Sequence, residues 1–310
     1  MTVRLATVDL GTNTVRLLVV EASGRAWRPL HQVQRVTRLG EGQASAGRLL
    51  PEPMRRTALT VAEYSRVARE LGAARVRVVA TSAVREATNR AEFVEQVEAL
   101  AGERVEVVSG EDEARLTLAG VAAALPGGVD SFVLFDIGGG STELVLAQGG
   151  RAAAAVSLKL GVVPLVEEWG DPGPVRWERF ARMREAIARS LAAEIPETIA
   201  RGKADLLVGT AGTVTTLAAL DLGLAAYDAA RVHGHRLDRG AIERQLAGLG
   251  ALDVAARASV PCLEPGRADV IVPGIAICLA VMERLGRDAI VVSDRGLREG
   301  LLADLLGERP

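Results

Sequence analysis

The chain has 310 residues, 49% of them hydrophobic and 25% charged, with a formal net charge of −2. That balance excludes a disordered chain, and the near-neutral charge excludes a general binder of nucleic acid or of anionic membranes. Any polyanion must be met by local basic residues, nearly all arginine, since only Lys159 and Lys203 are lysine.

The first half opens as a strand meander: Leu5 to Asp9, Val15 to Glu21 and Trp27 to Thr37 are apolar or alternating runs with turn residues between them. The first turn is Asp9-Leu10-Gly11-Thr12-Asn13-Thr14. An Asp at a strand end, then glycine and hydroxyls, makes an anion cradle. Glycine lets backbone N–H groups turn inward, the hydroxyls add donors, and the carboxylate holds Mg²⁺ through water rather than meeting phosphate directly. Pro53 to Leu71 has a helical apolar period, and Arg75 to Ala80 is a buried-type strand. Thr81, Ser82 and Ala83 then open a short turn or helix, from which Arg85 can reach a phosphate with its planar fork. Asn89 to Ala101 reads as a helix, Val105 to Val108 as a strand, and Ser109 to Leu125 as a helix capped by Ser109. Pro126-Gly127-Gly128 is the clearest break.

The second half repeats the plan. Phe132 to Phe135 runs into Asp136-Ile137-Gly138-Gly139-Gly140-Ser141-Thr142, and Leu144 to Ala147 follows. Three consecutive glycines are costly in backbone entropy, and close approach to a phosphate is the reason that fits. After the strand Ala153 to Leu158 comes Lys159, which reads as a contact to an internal phosphate or equally as a solvated strand residue. A helical stretch from Val175 to Ala200 and a strand from Leu206 to Gly209 lead to a third turn, Gly209-Thr210-Ala211-Gly212-Thr213, and a helix, Val214 to Leu222. The rest reads as mostly helix, ending with Leu297 to Leu306. Cys262 and Cys278 read as free thiols in apolar helical sequence, and His233 with His235 lack a third metal ligand. The run Val270 to Met282 contains Pro273 and Gly274 and is too short to cross a bilayer. With no signal peptide ahead of the first strand, a reduced, cytoplasmic protein is expected. The order of elements predicts an α/β protein with duplicated halves and a ligand cleft between them.

The three Gly/Thr turns, in this order, resemble the actin-like phosphotransferase superfamily, whose two ribonuclease H-like domains face a cleft. Within it, Ala80-Thr81-Ser82-Ala83-Val84-Arg85-Glu86-Ala87-Thr88-Asn89 and Ser109-Gly110-Glu111-Asp112-Glu113-Ala114-Arg115 are similar to signatures of the exopolyphosphatase / guanosine-pentaphosphate phosphohydrolase family. Arg267-Ala268-Asp269, Val272-Pro273-Gly274 and Gly296-Leu297-Arg298-Glu299-Gly300 extend the likeness, which runs from Ala6 to Leu302. It implies an actin-like domain I over 1–125, with the C-terminal helix 297–310 packing back on it, and an actin-like domain II over 126–296. It implies a phosphate-binding set of Gly11, Thr12, Asn13, Thr81, Ser82, Gly138, Gly139, Gly140, Ser141, Thr142, Gly212, Thr213 and Lys159. Mg²⁺ or Mn²⁺ would be held by Asp9 and Asp136. On their own, the acids of the Glu113 segment would serve the helix dipole and Arg85 would pair with Glu86. The family pattern singles out Glu113, before Ala114, as general base and Arg85 as the charge stabiliser. Arg267, Asp269 and Arg298 read instead as interdomain or helix-packing ion pairs.

The expected activity is exopolyphosphatase hydrolysis of the terminal phosphate of polyphosphate. The chain stops at Pro310, without the further C-terminal domains of long family members, which favours short chains. Hydrolysis of guanosine pentaphosphate (pppGpp) would use the same residues. A non-catalytic phosphate- or alarmone-sensing regulator is disfavoured by retention of Arg85 and Glu113, and the Glu113 segment does not suit a sugar or acetate kinase. The family also allows a homodimer, although no interface is legible in the chain.

Overall fold

The computed structural model describes residues 2–125 and 129–307, so the Pro126-Gly127-Gly128 break and the last residues of the expected C-terminal helix lie outside the described residues. The chain divides into two compact units, residues 1–123 with 296–310, and residues 124–295.

The first unit is built on a sheet of β1 (Thr2–Leu10), β2 (Thr14–Ser23), β3 (Ala26–Val36), β4 (Arg75–Ala80) and β5 (Val105–Val107), in the order β3-β2-β1-β4-β5. β1, β2 and β3 form an antiparallel meander, while β4 and β5 run parallel to β1. Strand alternation sorts the side chains to two faces. Ala6, Val8 and Leu10 pack with Met54, Val61, Tyr64 and Phe93 of the helices Pro51–Glu70 and Arg90–Ala101. The longer helix starts on Pro51, where a missing N–H costs nothing, and its end is followed by Gly72 at a φ of 79°. On the opposite face Leu5, Leu18 and Val20 meet Leu302, and Val79 meets Leu297 and Leu301 of the helix Leu297–Leu305. Thr7 and Asp9 alternate onto this second face, where the Thr7 hydroxyl donates to the Arg298 carbonyl at 3.4 Å.

The second unit repeats the scheme with β6 (Ser131–Ile137), β7 (Thr142–Gln148), β8 (Arg151–Leu158), β9 (Leu206–Thr210), β10 (Arg236–Asp238) and β11 (Ala289–Val292). Its order is β10-β11-β9-β6-β7-β8. Read from β8, the first five strands reproduce the pairing senses of the first sheet, and β10 adds an antiparallel edge. Val133, Phe135, Ile137, Leu144 and Leu146 pack in one core with the helices Trp177–Glu194 and Ile271–Arg284. The α/β class with two mixed sheets of like plan is therefore as expected.

Three local expectations change. β10 and β11 lie in a stretch expected to be mostly helix; they are three and four residues long, too short for alternation to register. A helix, Val162–Trp169, follows Lys159 directly, and the next helical stretch breaks into Trp177–Glu194 and Glu197–Ala200 at Pro196. Cys278 lies in a helix, whereas Cys262 has a φ of 63° and lies outside one. Among the described residues no helix is long and apolar enough to cross a membrane.

Candidate active site

In both units the polar residues gather just beyond the carboxyl ends of the parallel strands, where open α/β sheets bind ligands. β1 ends at the first turn, β4 at Thr81 and β5 before Ser109; β6 ends at the second turn and β9 at Thr210.

The first two turns are the same hairpin made twice. The Gly11 N–H donates to the Thr14 carbonyl at 3.1 Å, and the Gly138 N–H to the Ser141 carbonyl at 2.9 Å. A Cβ on either glycine would lie 3.0 Å from that carbonyl oxygen, so the tightness itself asks for glycine. The turn carbonyls face away from the mouth. Thr12 O accepts from Gly40 N–H and Asn13 O from Thr37 and Arg38 N–H, while Gly138 O and Gly139 O accept from Val162 and Val163 N–H. The N–H groups of Thr12 and Asn13, and of Gly139 and Gly140, donate to no backbone acceptor among the described residues. Such runs of uncommitted N–H groups are what an anion needs. Asn13 Oδ1 is buried without a hydrogen-bond partner.

The hydroxyls divide by role. Thr12 Oγ1 accepts from Ala83 N–H at 3.2 Å, tying the first turn to the Thr81–Ser82 segment. The Thr142 hydroxyl is fully buried and donates to the Leu160 carbonyl at 2.6 Å, so it supports the fold beneath the turn. Thr81, Ser82 and Ser141 are buried at the strand ends. Lys159 is exposed, one residue past β8.

Arg85 and Glu113, 28 positions apart, meet. Arg85 Nη1 donates to Glu113 Oε2 at 2.8 Å and to the Val108 carbonyl at 3.1 Å. Both side chains are largely shielded, at 17% and 12% exposure. Arg85 also lies 3.5 Å from Glu86, the neighbour a merely local pair would use, but the tighter partner is Glu113. The Ser109 cap is present: its Oγ accepts from Asp112 N–H at 3.0 Å and donates to the Asp112 carboxylate, which sets the start of the helix carrying Glu113.

The two aspartates have opposite company. Asp9 pairs across the sheet with Arg16, whose Nη1 donates to Asp9 Oδ2 at 3.2 Å. Burial pushes the Asp9 carboxyl above its ordinary range, and Arg16 and Arg298 pull it back. Asp136 pairs across its sheet with Glu143, the residue equivalent to Arg16 in the duplicated hairpin. Residues directly opposite share a face, so two carboxylates stand together there. Glu143 is 2% exposed and accepts from the Ser157 hydroxyl at 2.7 Å. Hard carboxylate oxygens on one face are the donor set that suits Mg²⁺, which keeps several waters and needs few protein ligands. Among the described residues no cluster of three or more His, Cys, Asp or Glu is gathered for a metal.

The third turn is strained. Ala211 has a φ of 67° at the start of the helix Ala211–Asp221, an uncommon conformation for a residue with a Cβ. Gly212 lies under the Arg267 guanidinium: a Cβ there would be 1.5 Å from Nη1. Arg267 is buried and 3.1 Å from Glu264, so it is an ion-paired residue that also covers the turn. Sequence reasoning missed Glu143 and Arg267 as site residues. Aligning the two hairpins would have exposed Glu143; nothing local links Arg267 to Gly212.

Residues 18–309 match the model of the Ppx/GppA phosphatase family. The chain is 35% identical to exopolyphosphatase 2 of Mycobacterium tuberculosis, over 98% of this chain and 99% of that protein. Its fold is similar to the crystal structure of the Aquifex aeolicus family member, with a TM-score of 0.82 and 33% identity over the whole of both chains. It is also similar to an exopolyphosphatase from Cytophaga hutchinsonii, with a TM-score of 0.91 and 25% identity over 99% of each chain. Matched over nearly its full length by sequence and by fold, the chain belongs to the Ppx/GppA phosphatase family, of exopolyphosphatase type.

Proposed function

We propose that the protein is a Mg²⁺-dependent exopolyphosphatase that releases terminal phosphate from short polyphosphate chains. The observation that carries this reading is the contact of Arg85 with Glu113 beside β5, a phosphate-gripping fork held against a base. Exopolyphosphatase names among relatives matched over nearly the whole chain support it.

Arg85 has five N–H donors, and the bonds to Glu113 and Val108 use only one of its nitrogens. Its Nε faces Glu86 at 3.5 Å, so Nη2 takes the terminal phosphate, whose oxygens gather charge in the loose transition state. A phosphate there shares the guanidinium charge that holds Glu113 on Nη1, and the loosened carboxylate turns toward water. Glu113 then accepts the proton as water oxygen bonds to the terminal phosphorus and the bridging P–O bond breaks, giving orthophosphate and a chain shorter by one unit. Within the first unit the N–H groups of Thr12 and Asn13 hold phosphate oxygens; within the second, those of Gly139 and Gly140 form the like cradle, with Lys159 and the Thr213 turn as its further contacts. Asp136 with Glu143 would hold Mg²⁺, and Asp9 would orient Arg16. Bound there, the ion would neutralise charge on the phosphate oxygens.

The test is phosphate release from short polyphosphate, long polyphosphate and pppGpp, for the wild type and Glu113→Gln. We expect short polyphosphate to lead and the variant to lose roughly 100-fold or more in kcat at little-changed KM, the signature of a lost base. A tenfold preference for pppGpp would replace the substrate, and an active variant would remove Glu113 from the mechanism.

A further inference from the structure

The second unit holds a buried cation that the phosphate chemistry leaves unused. Arg257 is 2% exposed. Its Nε donates to the Leu249 carbonyl at 2.7 Å, and its Nη2 is buried with no hydrogen-bond partner. Asp253, Asp171 and Asp269 act on it by Coulombic attraction, without a hydrogen bond, and burial lowers its pKa. Two of these acids are committed elsewhere. Asp171 pairs with Arg176 and accepts from Gly173 N–H, and Asp253 caps a helix by accepting from Ala256 N–H. A buried guanidinium without a contacting carboxylate is expensive unless some group completes it.

Arg257 lines a pocket whose other walls include Trp169, Phe180, Met183, Val272 and Asp269. The free space is about 30 Å³. One water needs roughly 10–15 Å³, so the space suits a carboxylate-sized head and is too small for a purine or a length of phosphate chain. Asp171 and Asp269 stand in this wall with Arg176, Arg179 and Arg257, three guanidiniums against two carboxylates, a balance that one negative charge neutralises. The aromatic and aliphatic walls suit an apolar body at the mouth, where Trp169 is half-buried.

We propose that this pocket binds a small monocarboxylate, its head on the Arg257 guanidinium and its apolar body against Trp169 and Phe180. The probe is benzoate, titrated into the full-length protein without any phosphate substrate, so the outcome is independent of the phosphatase reading. Calorimetry and tryptophan fluorescence are expected to report saturable one-to-one binding. Trp169→Phe should keep the calorimetric affinity and lose the fluorescence change. Arg257→Met, which replaces a buried charge with an apolar side chain of similar length, should weaken binding at least tenfold. Orthophosphate should not displace benzoate. The proposal is overturned if benzoate does not saturate, if Arg257→Met binds within twofold of the wild type, if the fluorescence change survives Trp169→Phe, or if orthophosphate displaces it. Should Arg257→Met fail to fold, the wild-type titration, the orthophosphate competition and Trp169→Phe decide the matter alone.

Discussion

Arg16 and Glu143 occupy the same place in two copies of one hairpin, and their opposite charges give the neighbouring aspartates different work. Arg16 already satisfies Asp9, while Glu143 adds a second negative charge beside Asp136 and so calls for a cation. Glu143→Gln should therefore raise the Mg²⁺ concentration for half-maximal rate by roughly tenfold, about 1.4 kcal/mol of binding. Rate measurements across a Mg²⁺ series check this, and an unchanged midpoint would remove Glu143 from the metal site. A different residue adds a dependence on alkaline pH. Burial pushes the Cys278 thiol from 9.0 up to about 12. Between those values the native state keeps a proton that the unfolded chain has lost. The stability from this group is complete below pH 9 and falls as pH rises toward 12, by up to about 1.4 kcal/mol per pH unit. Urea unfolding of the wild type and Cys278→Ala should show the gap between them narrowing by about 1 kcal/mol from pH 8 to pH 10. A constant gap would contradict the assignment.

At the level of elements, the helix that carries Glu113 is held by a second helix at unusually close range. A Cβ on Gly300 would lie 1.8 Å from the Leu116 carbonyl oxygen, and one on Gly120 2.1 Å from the Gly296 carbonyl oxygen. Backbone cannot yield as a flexible side chain can, so Gly120→Ala must move the helix Gly110–Ala122 against Leu297–Leu305. We expect a loss of about 1–3 kcal/mol, the usual cost of overpacking, with a fall in kcat as Glu113 shifts. Urea melts beside steady-state kinetics measure both, and a variant with wild-type stability would show that the helices separate freely. The Glu113 helix was legible in the sequence because Ser109 and the acids behind it are local signals. Its glycine contact was not, since it joins residues far apart in the chain. The same contrast runs through the site. The hairpin cradles were readable because duplication set the same residue types at two distant places. The Arg85–Glu113 contact needed β4 and β5 to be neighbours, which a family pattern could imply but no spacing could show. β11 was lost because Ala289–Val292 is as apolar as the helix before it.

Across the whole molecule the two units share a sheet plan but not a chain path. The second is one continuous stretch, residues 124–295, whereas the first takes residues 296–310 from the far end of the sequence. That returning segment is structural. Leu297, Leu301 and Leu302 are 8%, 0% and 1% exposed and cover Val79, Leu5, Leu18 and Val20. Asp304 adds an ion pair to Arg77 at 2.6 Å. Three buried leucines contribute on the order of 5–9 kcal/mol, comparable with the roughly 5–15 kcal/mol that holds a whole domain. Residues 1–123 alone should therefore fail to melt cooperatively, and a covalently linked 296–310 segment should restore the transition. Residues 124–295, whose core cluster is drawn from that stretch alone, should melt as one cooperative unit. Circular dichroism melts of the three polypeptides decide it: a cooperative 1–123 would mean that the C-terminal helix only decorates the first sheet, and a non-cooperative 124–295 would mean that the second unit depends on the first.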